Sequence, residues 1–257
     1  MLKPLALAVL LAAGQPAIAA TSWSYDFSGT LADHFDQVLD GPAPSTASQA
    51  NGALVFHTQG AVLASTDELF VYKHFMPTYQ QSWTAQIDAM VPASLDAQTG
   101  TGEFYVSAAL YAVTTNPDGS IRQGMQIGLE SNPPGGHQYW AGTWGDAFVG
   151  DQPTGDVAGT IGLSFDAATK VLSAHSTHGT LLSVDIDDPA SNWGMAGGDH
   201  FFIVVGFDSA GMSVAETEAM TLDNFSATLQ PVPEPETYAL MLAGLGLVGL
   251  AAWRNRV

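Results

Sequence analysis

The chain has no cysteine among its 257 residues. Disulfide bonds and thiolate-bound metal centres are therefore excluded, so an oxidising compartment is tolerated without being used. Residues 21–230 are enough for one large β-domain with a proper hydrophobic core. Stability must come from the packing of that core, with or without a bound metal.

Basic residues are scarce. The chain has six Lys and Arg against 25 Asp and Glu, a formal net charge of −19. Between the two ends of the chain the basic residues are only Lys73, Arg122 and Lys170. A field of this sign repels phosphate backbones, which excludes nucleic acid as a partner, and it favours solubility and Ca²⁺ binding.

Charge is almost absent from an apolar run near the N-terminus. Lys3 precedes an apolar stretch over residues 5–13, and Ala17-Ile18-Ala19 follows as a small-x-small cleavage site. The apolar stretch is too short to span a membrane. The pattern predicts a cleaved signal peptide over residues 1–20 and export of the rest of the chain.

A second uncharged run, rich in Leu, Ala and Gly, covers residues 238–253. As a helix it would be ~24 Å long, slightly short of a ~30 Å hydrocarbon core. Tyr238 and Trp253 lie at its ends, where amphipathic rings prefer the membrane interface, and Arg254 and Arg256 follow at once. Because basic flanks stay cytoplasmic, we predict one short transmembrane helix with the body outside the cytoplasm.

The segment before this run consists of Val232, Pro233, Glu234 and Pro235. Its two prolines exclude a helix or an inner strand, so we predict an extended, accessible tether. The order of Val-Pro-Glu-Pro, glycine-containing helix and basic end resembles the PEP-CTERM sorting signal of Gram-negative bacteria. Asn255 between the arginines and the terminal Val257 depart slightly from that pattern.

This resemblance implies that residues 231–257, with the basic end at 254–257, are recognised by an exosortase. For a protein with this signal, the resemblance implies that this membrane protease-transpeptidase cuts near the motif and passes the protein to the cell surface. The alternative is an ordinary C-terminal membrane anchor behind a proline-rich linker.

The middle of the chain has the period-2 apolar alternation and the turn residues of β-strands, and no amphipathic helix of ten residues or more precedes the tail. We predict loops at 45–50 and 98–102. The strand pattern predicts an all-β, two-sheet antiparallel jelly-roll sandwich over residues 21–230. The predicted strands are 23–28, 53–57, 68–75, 82–91, 103–114, 121–131, 137–143, 161–165, 171–176, 181–186, 201–207 and 221–229.

Three short segments resemble concanavalin A-like, or laminin G-like, jelly-roll domains. They are Asp-Phe-Ser-Gly at 26–29, Phe-Asp-Ala-Ala-Thr-Lys-Val-Leu at 165–172 and Leu-Asp-Asn-Phe at 222–225. The resemblance implies that the first and last strands are neighbours and that the middle segment is a hairpin. It also implies binding of sugar or of a surface ligand, although a fold alone does not establish a function.

Two catalytic motifs are missing. The glucanases that share this fold carry Glu-x-Asp-x-x-Glu on one strand, and serine hydrolases carry Gly-x-Ser-x-Gly; neither occurs here. The nearest pair, Asp185 and Asp187, lies about 7 Å apart on one strand face and is interpreted as a solvated face opposite Ile186. Glu216 and Glu218 have the same spacing and the same interpretation. We therefore predict no catalytic residues and a protein that is not an enzyme.

Two binding hypotheses remain. Trp140 and Trp144, beside Tyr139, share a strand face across Gly142, where aromatic rings would stack on the apolar faces of sugars. The alternative is that the tryptophans fill the core. The second hypothesis is a structural Ca²⁺ shared by two acids on the paired terminal strands, or bound by an acidic loop at 151–156. These acids are Asp26 and Asp223. The alternative for Asp26 is a charge at the strand edge, and the alternative for Asp223 is an Asx turn.

The sequence therefore predicts an exported, surface-sorted, non-catalytic β-sandwich. We expect it to be anchored on the periplasmic side of the inner membrane and then moved to the cell surface or to a biofilm matrix, where exopolysaccharide is its expected ligand. Two alternatives stay open: a secreted glycan-active hydrolase with an unrecognised site, and a structural surface protein without a ligand.

Overall fold

The computed structural model of the protein describes residues 20–39, 46–57, 66–93, 105–132, 136–144, 151–210, 220–230 and 245. Nearly all of the elements in these ranges are strands. In chain order the elements are β1 (Thr21–Tyr25), α1 (Leu31–His34), β2 (Phe35–Leu39), β3 (Thr46–Ala50), β4 (Ala53–His57), β5 (Thr66–Tyr72), β6 (Trp83–Met90), β7 (Tyr105–Thr115), β8 (Ile121–Asn132), β9 (Gly136–Thr143), β10 (Asp151–Thr154), β11 (Ala158–Asp166), β12 (Val171–Ser176), β13 (Gly179–Asp185), a 3₁₀ turn (Pro189–Ser191), β14 (Phe202–Ala210) and β15 (Met220–Leu229).

The strands form two sheets. The eight-stranded sheet has the order β13-β12-β11-β6-β15-β4-β3, with β1 added on β15, and the seven-stranded sheet has the order β10-β9-β8-β7-β14-β5-β2. The pairings with a defined register are antiparallel. The predicted two-sheet antiparallel jelly-roll sandwich is confirmed.

Two features implied by the concanavalin A-like resemblance are present. The first and last strands, β1 and β15, are hydrogen-bonded neighbours. The middle segment is the hairpin between β11 and β12, where Asp166 Oδ1 accepts the backbone N–H of Ala168 at 2.8 Å and of Thr169 at 3.4 Å. Lys170 closes this turn in the left-handed region, with φ of 59°.

Two regions expected to be loops are strands. The predicted loop at 45–50 is wrong, because β3 pairs with β4 through a tight turn at Asn51 (φ 53°) and Gly52 (φ 77°). Positive φ at both central residues is the geometry that Asn-Gly favours in hairpins. The predicted acidic loop at 151–156 begins as β10, an edge strand on β9. The predicted loop at 98–102 lies outside the described residues.

The core lies between the two sheets. Burial alternates along β6, with Trp83, Ala85 and Ile87 turned inward and buried. The register pairs Trp83 with Phe165 and Ile87 with Ile161, so inward residues lie beside inward residues. In contrast, β7 and β8 are buried along almost their whole length on both faces. The outer surface of the seven-stranded sheet is therefore partly covered.

We call this outer surface, which includes Tyr111 and Trp140, the front face. The outer surface of the eight-stranded sheet, which includes Thr84 and Ser173, is the back face. The sandwich forms one compact unit over Ser22–Leu229. The other unit, Met1–Thr21 with Gln230–Val257, lies almost wholly outside the described residues, as do the predicted signal peptide and the predicted helix at 238–253. Within the described ranges no helix is long and apolar enough to cross a membrane.

Candidate functional site

Strand β9 places the three predicted ligand-binding aromatics on two different faces. Side chains alternate along a strand, so Tyr139 and Trp140 must point in opposite directions. Tyr139 lies fully buried in the core, where burial raises the pKa of its phenol, and its hydroxyl is 3.4 Å from Thr177 Oγ1. The fully buried Tyr139 therefore does not lie on the face of Trp140, and its ring is not exposed to the ligand that the sequence predicted for it.

Trp140 lies on the front face, outside the core between the sheets. Its Nε1 reaches across the intervening strand β8 and donates a hydrogen bond to Ser107 Oγ on β7 at 3.1 Å. A Cβ added at Gly128 would lie 2.7 Å from that Nε1, so the ring requires a glycine at this position. Trp140 is only 5% exposed. Neither of the two expectations for Trp140, stacking on a sugar or filling the core, describes it fully, because the ring is buried without belonging to the core.

Trp144 follows the end of β9 on the same face and is half-buried. Its backbone N–H donates to Gly124 O at 2.9 Å, and a Cβ added at Gly124 would lie 3.0 Å from Trp144 Cε3. The ring centroid of Tyr111 lies 6.4 Å away. Trp144 also packs on an apolar cluster of the front face, whose buried members are Ala109, Tyr111, Val113 and Val204.

A polar row borders this apolar cluster. The register aligns one residue from each of four adjacent strands: Asp208, Ser107, Glu130 and Gln138. Gln138 Nε2 donates to Glu130 Oε1 at 3.0 Å, and the hydroxyl of Tyr105 donates to Asp208 Oδ2 at 2.7 Å. Sequence reasoning missed this row because its members lie far apart in the chain. The only signal in the sequence was that Gln138 lies two residues before Trp140, so that both side chains point to the same face of β9.

The front face thus combines two kinds of surface. The half-buried Trp144 ring, together with the half-buried Leu69, Val71 and Phe202 that pack on the apolar cluster, offers a surface for the apolar face of a ring-shaped ligand. The polar row, in which Gln138 and Asp208 are half-buried, offers hydrogen-bonding groups on the same sheet. This combination of apolar surface with a few polar groups is typical of binding sites for small polar molecules.

The residues expected to hold Ca²⁺ have other partners. Asp26 Oδ1 accepts from the backbone N–H of Ser28 at 3.1 Å and from its hydroxyl at 2.6 Å, and these hydrogen bonds lower the pKa of Asp26. Asp223 lies opposite Asp88 on β6 and accepts from the backbone N–H of Asn224 at 2.6 Å. Among the described residues, no three Asp, Glu or His side chains are grouped as a metal site. The calcium site stays a prediction, which melting in the presence of EDTA tests.

The acidic pair near the end of β13 has the environment that the sequence indicated. Ile186 is buried, while Asp185 and Asp187 are exposed on either side of it. The hydroxyl of Tyr79 donates a hydrogen bond to Asp187 Oδ1. Glu216 and Glu218 lie outside the described residues, and so do the sorting-motif residues Val232, Pro233, Glu234, Pro235, Arg254 and Arg256.

Comparison with solved structures shows the fold of the sandwich. A laminarinase from Flavobacterium sp. UMI-01 has a TM-score of 0.52 at 11% identity, covering 81% of this chain and 99% of that one. Lectin I-B4 of Griffonia simplicifolia, in its metal-free form, has a TM-score of 0.50 at 12% identity, covering 82% and 100%. The acidic lectin of winged bean, complexed with methyl-α-D-galactose, has a TM-score of 0.50 at 10% identity, covering 82% and 99%.

These similarities confirm the predicted concanavalin A-like jelly roll, and at such identities they show the fold alone. No curated protein matches the sequence. The PEP-CTERM protein-sorting motif matches residues 231–257. This motif implies export, membrane anchoring and subsequent cleavage by an exosortase. The chain therefore carries a PEP-CTERM sorting motif at its C-terminal end, behind a β-sandwich with the fold of lectins and laminarinases.

Proposed function

We propose that this protein is an exosortase-sorted, non-catalytic polysaccharide-binding protein of the cell surface or extracellular matrix of a Gram-negative bacterium. The sorting motif at residues 231–257 supports the surface destination. The sandwich supports the binding role, because its structural neighbours include a lectin complexed with a galactoside and a laminarinase. Before cleavage the C-terminal helix holds the body on the periplasmic side of the inner membrane.

The observation that carries the binding proposal is that the half-buried Trp144 and the polar row share the front face, six residues or about 20 Å apart along the strand direction. The C–H faces of a sugar ring pack on an aromatic ring, while its hydroxyls need hydrogen-bonding groups nearby. Trp144 supplies the ring surface for one sugar unit, and Gln138 and Asp208, about 20 Å away along the strands, supply polar groups to other units of the same polysaccharide chain. Trp140 contributes by holding its side of the face in place rather than by stacking, since only 5% of it is exposed.

The direct test is the retention of the Trp144→Ala variant on the exopolysaccharide purified from the host. Loss of the stacking surface should weaken retention roughly tenfold, since aromatic contacts of this kind contribute ~1 kcal/mol or more. Trp144 is a better probe than Trp140, whose buried ring and hydrogen bond to Ser107 make its replacement destabilising. Trp23→Ala is a matched control, because Trp23 is a half-buried tryptophan of β1 in the other sheet.

Retention of Trp144→Ala equal to that of the wild type, at equal melting temperature, would remove the front face as the glycan site. Loss of retention in Trp23→Ala alone would place binding elsewhere. Loss in Trp144→Ala with retention kept in Trp23→Ala supports the proposal.

A second candidate function is glycan hydrolysis, and one observation favours it. Glu130 and Asp208 flank Ser107 on the front face, two strand spacings or about 10 Å apart between Cα atoms. Inverting glycosidases place their two carboxyl groups ~6.5–9.5 Å apart. Release of reducing sugar from the host exopolysaccharide, abolished in Glu130→Gln, would favour the hydrolase. Co-sedimentation without sugar release favours binding alone. If the protein neither releases sugar nor co-sediments with the polysaccharide, a structural protein without a ligand is favoured.

A further inference from the structure

The back face carries a row of hydroxyl groups. Five residues are aligned by the register of five adjacent strands, and a sixth is joined to the row by a hydrogen bond from β1 to β15. In spatial order the row is Ser22, Thr228, Thr84, Ser164, Ser173 and Ser183. With strands about 4.8 Å apart, this hydroxyl row is about 24 Å long.

The hydroxyl row is accessible and internally bonded. Ser22 Oγ and Thr228 Oγ1 are 3.3 Å apart at one end, and Ser173 Oγ and Ser183 Oγ are 2.8 Å apart near the other. Thr84, in the middle, is exposed. Each hydroxyl has one donor and two acceptor positions, so a bonded pair keeps hydrogen-bonding capacity for a ligand.

A trough runs beside the hydroxyl row on the neighbouring register positions. Its floor is Gly162, which lies between Gln86 on β6 and His175 on β12. Because glycine has no side chain, the space between these two residues stays open. The trough has a volume of about 490 Å³. Volumes of roughly 300–1,000 Å³ are typical of small-molecule sites. Thr84 and Ser164 form one wall, so the hydroxyl row lies along its rim.

The chemistry of the trough is polar and uncharged. His175 Nε2 is 2.7 Å from Ser164 Oγ and its Nδ1 is 3.0 Å from Thr180 Oγ1. Burial lowers the pKa of His175, which keeps the ring neutral near pH 7. Outside the lining, Asp88 Oδ1 accepts a hydrogen bond from the hydroxyl of the lining residue Thr160 at 2.6 Å, so a carboxylate gives the adjoining surface a negative potential. An anionic polymer is therefore disfavoured, and a neutral ligand with many hydroxyl groups fits.

We propose that the trough and the hydroxyl row bind a neutral polysaccharide chain that lies across the strands of the back face. The trough holds a sugar unit, and the row forms hydrogen bonds to successive units along the chain. Because the front face and the back face lie on opposite sides of the sandwich, two binding surfaces would cross-link separate chains. This cross-linking rests on the function proposed above, whereas binding to the back face does not.

The test uses the full chain in a detergent without sugar groups, run in native gels that contain neutral hydroxyethyl cellulose or anionic alginate. The back-face variant is Thr84→Val with Gln86→Ala, two exposed positions on β6. Loss of their hydrogen bonds should weaken retardation by hydroxyethyl cellulose roughly five- to tenfold. The matched control is Thr221→Val, which lies on the same face opposite Met90 and outside the trough.

The front-face variant Trp144→Ala, and the combination of all three substitutions, complete the set. We expect each single-face variant to keep part of the retardation but to lose the light scattering of cross-linked polymer. The combined variant should lose both. If Thr84→Val with Gln86→Ala leaves retardation unchanged while Trp144→Ala abolishes it, the back-face proposal is overturned and the front-face site stands. The reverse result overturns the front-face site alone. Equal retardation by alginate would contradict a neutral ligand.

Discussion

At the scale of single residues, Tyr79 shows how the fold controls a titratable group. Its hydroxyl donates to Asp187, and Lys170 Nζ lies 3.8 Å from the centre of its ring. Lys170 Nζ also donates to the backbone oxygen of Tyr79 at 3.0 Å. Burial, followed by the hydrogen bond and negative charge of Asp187, raises the pKa of Tyr79 from 10.0 to about 12.

This shift predicts a loss of stability at alkaline pH. The folded state favours the neutral phenol, whereas the unfolded chain ionises near pH 10, so stability is full below pH 10 and falls as pH rises towards about 12. Tyr79→Phe cannot ionise, so its melting temperature should fall less between pH 9 and pH 11 than that of the wild type. The fall should not vanish, because burial also raises the pKa of Tyr25, Tyr72 and Tyr139.

Thermal melts followed by circular dichroism measure this difference, with Tyr105→Phe as the control, since Tyr105 lies on the front face away from Asp187. Equal alkaline losses in Tyr79→Phe and the wild type would contradict the assigned pKa.

At the scale of elements, β15 connects the sandwich. It pairs with β6, β4 and β1 within the eight-stranded sheet. From it, Phe225 reaches the other sheet: its ring centroid lies 4.6 Å from that of Tyr72 on β5 and 5.9 Å from that of Phe35 on β2. Phe225 is 1% exposed, so its ring is surrounded by core atoms from both sheets.

Replacement of this ring should therefore destabilise the whole sandwich. Phe225→Ala leaves a cavity between the sheets and should lower the free energy of unfolding by about 3–5 kcal/mol. Met90→Ala, on the back face and 40% exposed, should change it by less than about 0.5 kcal/mol. Urea denaturation of both variants measures the difference, and similar midpoints for the two would show that Phe225 does not hold the sheets together.

Most elements of the fold could be predicted from local patterns. The alternation at Ile161, Leu163 and Phe165 indicated β11 correctly, because one face of that strand is buried. The strand β3 was missed because Thr46–Ala50 has small residues without apolar alternation. The Asn51-Gly52 turn was the available signal, since such a turn joins two strands. The strand β10 contains Pro153, which is tolerated because this strand lies at the edge of its sheet.

The candidate site was less predictable. Period-2 spacing correctly placed Trp140 and Trp144 on one face, but the same rule excluded Tyr139 from it. The polar row of the front face and the hydroxyl row of the back face depend on strand order and register. A single sequence does not contain that information, because residues such as Ser22 and Thr228 meet only when distant strands pair.

At the scale of the whole molecule, the chain combines an acidic sandwich with a sorting motif. The net charge of −19 over the whole chain favours solubility and disfavours anionic partners. The motif at residues 231–257 is the sorting signal. Glycan binding by the sandwich would then act after processing, once the body has left the membrane.

The most direct test of this account is immunoblotting of membrane, surface and matrix fractions for three chains. These are the full chain, a chain without residues 231–257, and a chain with Pro233→Ala and Pro235→Ala that keeps the apolar run. We expect only the full chain to reach the surface with a reduced mass, while the proline variant stays in the membrane at its unprocessed mass. The account is contradicted if the shortened chain reaches the same fraction with the same processing, or if the proline variant behaves like the full chain, as an ordinary membrane anchor would.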